Sequence, residues 1–236
     1  MPIDEFIISV FCCVEDLLKK TFNGLKIRQR GFNPKLSDAE LITIEIVGEF
    51  LGFETDKKIW EYFKRHFNSW FPHLPCRTTF VRQAANLWKI KQYLQKQLSI
   101  ALGACEDQLY LIDGFPIPVC HFARARRGQL FKGEAGYGRC VSKRQVYFGF
   151  KGHLLITSSG MIASFLLTPA NIEEHSMTEE LLQGFKGLVI GDKGFISQSL
   201  KDKLHSKGID LQTPLKKNMK DTRNSKFVEK IKSMRR

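Results

Sequence analysis

Between residues 3 and 101 the apolar positions of this chain recur mostly at helical spacing. Phe6, Ile7, Val10, Phe11, Val14, Leu17 and Leu18 fall on one stripe and predict a helix near the start. Ser37-Asp38-Ala39-Glu40 has the form of a capping box, and it opens an apolar helix to about Leu51. Another helix is expected from Asp56 to about Phe67, stopped by Trp70-Phe71-Pro72-His73-Leu74-Pro75. A long helix then runs from near Thr78 to about Ala101. The aromatic set Trp60, Phe63, Phe67, Trp70 and Phe71 reads as core within this helical region, which is taken as residues 1–103.

From residue 108 the pattern shortens to strands. Gln108–Asp113 is the first, and Phe115–Cys120 continues extended. A loop rich in Gly and Arg follows, Ala123–Arg144. Val146–Thr157 and Met161–Thr168 flank Ser158-Ser159-Gly160, a hairpin signature. Glu173–Gly184 reads as helix, Gly187–Asp192 as strand, Ser197–Lys207 as helix stopped by Gly208, and Ile209–Leu215 as a last strand. Helix potential returns from Lys226 to the end. An antiparallel hairpin set followed by strand–helix–strand crossovers predicts an α/β domain over 104–236, built on a mixed sheet with flanking helices.

Composition narrows the class. The chain is 43% hydrophobic, enough for a core, yet no apolar run nears the ~18 residues of a membrane span. The opening Met-Pro-Ile-Asp-Glu lacks the basic stretch of a signal peptide. Six cysteines, none in C-x-x-C spacing, read as reduced thiols of a cytosolic protein. The net charge of +13 is concentrated: segments 121–151 and 201–236 carry +7 and +8, which leaves the rest at −2. Cationic segments of this kind are a solvated surface or a bed for a polyanion.

Two apolar runs each deliver one carboxylate. Leu111-Ile112 leads to Asp113 and then Gly114; Leu188-Val189-Ile190-Gly191 leads to Asp192, with Gly194 two positions on. Glycine there is expected to let the chain turn sharply as it leaves the core. If the two strands are neighbours, the carboxylates converge, and hard oxygen donors on a rigid sheet suit Mg²⁺ or Mn²⁺. With that chemistry nearby, the cationic segments favour nucleic acid. Arg77, Thr78 and Arg82, at the start of the long helix, have the character of phosphate and base-edge contacts in a helix-turn-helix reader, with helix capping the other reading for Thr78. Arg124, Arg126 and Arg127 suit phosphate contacts of any sequence, and so does Lys193 beside Asp192. His153 reads as a satisfied strand histidine.

On these residues the chain resembles insertion-sequence transposases with an RNase H-like DDE catalytic domain. The resemblance rests on Asp113 in Leu-Ile-Asp-Gly-Phe-Pro-Ile-Pro-Val-Cys-His and on Tyr147-Phe-Gly-Phe-Lys-Gly-His153. It continues through Leu167-Thr-Pro-Ala-Asn171 to Gly191-Asp-Lys-Gly-Phe195. It implies metal-dependent cleavage at element ends and strand transfer into target DNA, with Asp113, Asp192 and a later Glu holding two Mg²⁺ or Mn²⁺ ions. It implies double-stranded DNA as partner, both terminal inverted repeats and target. A homo-oligomer on that DNA, a bacterial cytoplasm and association with the nucleoid are implied as well. The family's third acid follows the last strand within a basic stretch. Here Glu229 is the only carboxylate on the final helix, and its context Phe-Val-Glu-Lys-Ile-Lys departs from the pattern. The end, Ser233-Met-Arg-Arg236, looks like the start of that stretch, so the expectation is a chain truncated before its third acid. The alternative reading is a catalytically inactive DNA-binding remnant of such a transposase.

Overall fold

The computed structural model describes residues 1–23, 33–140, 144–215 and 219–234. Parts of the basic loop (141–143), the start of the polar tail (216–218) and the closing Arg235-Arg236 therefore lie outside the described residues. The chain divides into two compact units, Met1–Leu98 and Ser99–Arg236.

The first unit is helical. It comprises α1 (Ile3–Phe22), α2 (Asp38–Phe50), α3 (Asp56–His66), α4 (Arg77–Asn86) and most of α5 (Trp88–Ala101). The expected capping box opens α2: the Glu40 N–H donates to Ser37 Oγ at 3.1 Å, and the Ser37 N–H donates to Glu40 Oε2 at 2.7 Å. Thr55 caps α3 by accepting from the Lys58 N–H. Ile7, Val14 and Leu18 of α1 join Leu41, Ile44, Val47, Ile59, Phe63 and Phe80 in one core. Each fully buried side chain of this kind contributes roughly 1.5–3 kcal/mol.

The long helix expected from Thr78 to Ala101 is two helices. Asn86, a weak helix former, precedes the break at Leu87, whose N–H turns back to Ala84 O at 3.2 Å while its side chain is buried. Phe80, Ala84 and Leu87 keep helical spacing through the break, so the apolar pattern carries no trace of it.

The second unit is built on one mixed sheet. Its strands are β1 (Leu109–His121), β2 (Gly136–Cys140), β3 (Gln145–Thr157), β4 (Ile162–Pro169), β5 (Gly187–Ile190) and β6 (Ile209–Gln212). The order is β2-β3-β1-β5-β6. β3 runs antiparallel to β1 along nearly its whole length, and on its other side it pairs with β2 up to Gly149 and with β4 from Phe150 on. β5 lies parallel to both β1 and β6. This is the mixed α/β architecture that the strand and helix order implied. The hairpin between β3 and β4 turns at Gly160, whose φ of 84° suits glycine.

Alternation puts Tyr110 and Ile112 of β1, Leu155 of β3 and Val189 of β5 on one face. There they pack with Leu181 and Leu182 around α7 (Thr178–Leu181) and with Leu200 and Leu204 of α8 (Gln198–His205). The segment read as a helix over 173–184 is a 3-10 turn, Glu174–Met177, followed by the single turn of α7. The segment read as a basic loop holds α6 (Phe122–Ala125) and the strand β2. α9 (Ser225–Met234) ends the described chain, with Ile231 as its buried anchor.

Candidate active site

The parallel pairing of β1 with β5 sets the geometry of the two aspartates. Leu109, Tyr110 and Leu111 pair with Leu188, Val189 and Ile190. Carried two residues further, past the end of β5, that register would bring Asp113 level with Asp192, on the face opposite Ile112. Asp192 keeps an extended backbone (φ −80°, ψ 174°) as it leads into the 3-10 turn Lys193–Phe195. Asp113 is exposed and Asp192 half-buried. Asp113 Oδ1 accepts the N–H of Gly114 at 2.9 Å.

The glycines beside these aspartates do not act as expected. β1 runs straight on through Gly114 to His121, and neither Gly114 nor Gly194 adopts a positive φ. Both instead face the Glu174 carboxylate. A Cβ on Gly114 would stand 3.1 Å from Glu174 Oε1, and one on Gly194 would collide with Glu174 Oε2. Glu174 therefore lies against the backbone next to both aspartates, and its Oε1 is 3.6 Å from Lys151 Nζ. Lys151 also donates to Ile172 O at 3.2 Å. Sequence reasoning passed over Glu174, which it read as an early residue of a helix; the two glycines were the available signal.

Below the pair, His153 stands opposite Gly114 in the β1–β3 ladder, 1% exposed, with Nε2 2.9 Å from Thr168 Oγ1. Desolvation, and then the Lys151 charge, hold its pKa below the ordinary histidine value. It is a packed strand histidine. At the end of β6, the Arg223 guanidinium donates to Gln212 Oε1 (2.9 Å), to Thr213 O (3.0 Å) and twice to the Asp221 carboxylate.

Glu229 is exposed on α9, two residues from both Phe227 and Ile231 and hence on the opposite side of the helix. Among the described residues no three His, Cys, Asp or Glu side chains gather closely enough to hold a metal ion. The structure thus aligns two of the three expected acids and does not assemble Glu229 with them. The chemistry of those two fits a hard divalent cation: they are carboxylates, one exposed within β1 and one half-buried just after β5.

The expected DNA contacts fall into three places. Arg124, Arg126 and Arg127 are exposed on and just after α6, with Ala125 buried between them. Lys193 is exposed one residue after Asp192. Arg77, Thr78 and Arg82 are exposed on α4, where Cys76 rather than Thr78 is the N-cap. Residues 67–76 separate α3 from α4, ten positions where a helix-turn-helix has three or four, so α4 is not the second helix of that motif. Trp60 Nε1 instead ties this connection to α3 by donating to Pro75 O at 2.8 Å. No described helix is long and apolar enough to cross a membrane.

The family profile described as the transposase DDE domain matches residues 103–236. The chain belongs to this family. The DDE match therefore covers the sheet with both aspartates, α9, and none of the helices α1 to α4. Among solved structures, a cryo-EM structure of a piggyBac transposase synaptic complex with hairpin DNA is similar over 92% of this chain, at 14% identity and a TM-score of 0.33. This DDE-family chain spans 42% of that transposase's length. No curated protein matches it in sequence.

Proposed function

We propose that this chain is a DNA transposase of insertion-sequence type, cleaving DNA at element ends and joining them to target DNA. The observation that supports this most directly is the parallel pairing of β1 with β5 within a DDE-family domain, whose register, carried two residues on, brings Asp113 toward Asp192. Asp113 and Asp192 would hold one or two Mg²⁺ or Mn²⁺ ions. A bound divalent cation supplies Lewis acidity at the scissile phosphorus. The chain's own groups do the rest. Lys193 meets phosphate charge beside the site, Arg124, Arg126 and Arg127 hold the duplex by its backbone, and Arg77, Thr78 and Arg82 contact the terminal repeats. Water or a 3′-hydroxyl is the nucleophile, so no covalent enzyme intermediate forms. Two element ends cut in concert call for two copies of the chain on DNA, in a bacterial cytoplasm at the nucleoid. Glu229, the carboxylate on α9, would have to move to serve as a third acid.

The test is cleavage of a duplex carrying the element's terminal repeats, with Mn²⁺ or Mg²⁺ and with EDTA. Asp113→Asn is expected to abolish metal-dependent cleavage while DNA affinity holds or improves, since a negative charge near phosphate is lost. A wild-type chain that binds the repeats but never cleaves them supports the inactive remnant instead. Glu229→Gln, run in parallel, assigns or removes the third acid.

A further inference from the structure

Among the described residues, Glu174 is a carboxylate that lies against both aspartate-bearing segments. Its Oε1 faces the backbone of Gly114, next to Asp113, and its Oε2 that of Gly194, two residues after Asp192. It is held from the other side by Lys151 on β3, at 3.6 Å, and Lys151 is itself fixed to Ile172 O. The 3-10 turn that carries Glu174 packs on the 3-10 turn that Asp192 begins. Glu174 is also anchored at its own main chain, because Thr178 Oγ1 donates to Glu174 O at 3.1 Å. Two positions without a Cβ, on two different elements, make the slot for this one side chain.

We infer that Glu174, braced by Lys151, is a positioning residue that sets the separation of Asp113 and Asp192 for divalent-metal binding, an inference that rests on the function proposed above. The side chain is a spacer between β1 and the Asp192 turn. With Oε1 taken up by Lys151 and both oxygens facing backbone, it supports the metal carboxylates from the opposite face of the sheet. A partner that orients ligands without binding the ion acts on affinity: removing it costs typically 10- to 100-fold. Both glycines near the aspartates, Gly114 and Gly194, line this slot, and neither turns the chain.

The experiment is Mn²⁺ binding to the full chain without DNA, read by calorimetry or by the loss of free-Mn²⁺ paramagnetic signal. Asp113→Asn first establishes that the aspartates bind the ion. If it leaves Mn²⁺ binding unchanged, the metal site itself is wrong and the proposed function falls with it. If it abolishes binding, Glu174→Gln is expected to weaken Mn²⁺ binding about 10- to 100-fold, with the melting temperature within a few degrees of wild type. Gly194→Ala, which displaces the carboxylate while sparing both charges, is expected to do the same, and cleavage by each variant is expected to recover at high Mn²⁺. Mn²⁺ affinity unchanged in Glu174→Gln, with Asp113→Asn inactive in binding, overturns the positioning role alone. Should Glu174→Gln fail to fold, Glu174→Asp carries the same test. It keeps the charge and shortens the reach, and a folded protein with unchanged affinity refutes the spacer.

Discussion

Replacing Arg223 should unseat the last strand of the sheet. Its guanidinium makes two bonds to strand-end acceptors, Gln212 Oε1 at 2.9 Å and Thr213 O at 3.0 Å. Gln212 is 8% exposed and pairs with Ile190, the last residue of β5 before the Asp192 turn. Hydrogen bonds from a charged donor contribute ~1.5–3 kcal/mol each. The pairing with Asp221 is partly exposed, at 21% and 26% for the two side chains, and adds at most ~1 kcal/mol. With water able to replace part of the loss, Arg223→Ala should cost about 2–4 kcal/mol. At roughly 2–4 °C per kcal/mol for a domain near this size, the melt should fall by ~5–15 °C. Arg223→Lys should recover less than half, since a point ammonium cannot serve the fork of acceptors. All three tryptophans, Trp60, Trp70 and Trp88, lie in the first unit, so their fluorescence is not a direct probe of β6. Far-UV dichroism and amide exchange at β6 will follow the change. A loss under about 0.5 kcal/mol, the scale of an ordinary surface substitution, or full recovery with Lys, would refute the assignment.

In cleavage assays, Asp192→Asn added to Asp113→Asn should lose nothing further, because the two act as one ligand set; additive losses would separate them. Exchanging Arg124, Arg126 and Arg127 together for Ala should reduce the slope of log affinity against log salt by ~2.7 on any duplex, if each neutralises one phosphate. Parallel salt plots would count against that surface. Arg77→Ala should weaken the terminal repeats more than random DNA, and equal losses would argue against reading by α4. His153 has a folded pKa held below its unfolded value, so the unfolded chain takes up the proton first. Its contribution to stability is fully present above the ordinary histidine pKa, ~6.5, and is lost as pH falls from there through the lower folded pKa. Urea unfolding should therefore show less stability at pH 5.5 than at 7.5, a difference that His153→Gln shrinks.

The two apolar runs ending in Asp113 and Asp192 were legible because a strand buried between neighbours needs continuous apolar residues, and few other segments have them. Ser37 and Glu40 were legible because a capping box is local. What escaped was non-local. β2, Gly-Tyr-Gly-Arg-Cys, has no apolar alternation; it forms because Tyr137 meets Phe148 across the ladder and because Gly136 and Gly138 leave room for Asn171, Ala170 and Tyr147. The Thr-Pro-Ala-Asn stretch thus closes over β2 as well as ending β4. Glu174 escaped for the same reason, since its partners lie on β1, β3 and the turn after β5. The break at Leu87 was hidden by burial that keeps helical spacing on both sides of it.

β1 has a mechanical consequence. Its first residues are clamped between β3 and β5, while beyond Asp113 it runs on, hydrogen-bonded to β3 alone, to His121 and the arginines that follow. Asp113 thus sits just past the point where β1 leaves β5, in an arm of the sheet backed by β3 and, beyond β3, by β4 and then β2, whose far end leads to Arg124, Arg126 and Arg127. The register slip between Pro118 and Cys120 is the one irregularity in the β1–β3 pairing, and it lies between the carboxylate and the arginines. The backbone path from the arginines to the carboxylate therefore runs through that bulge and an otherwise unbroken ladder.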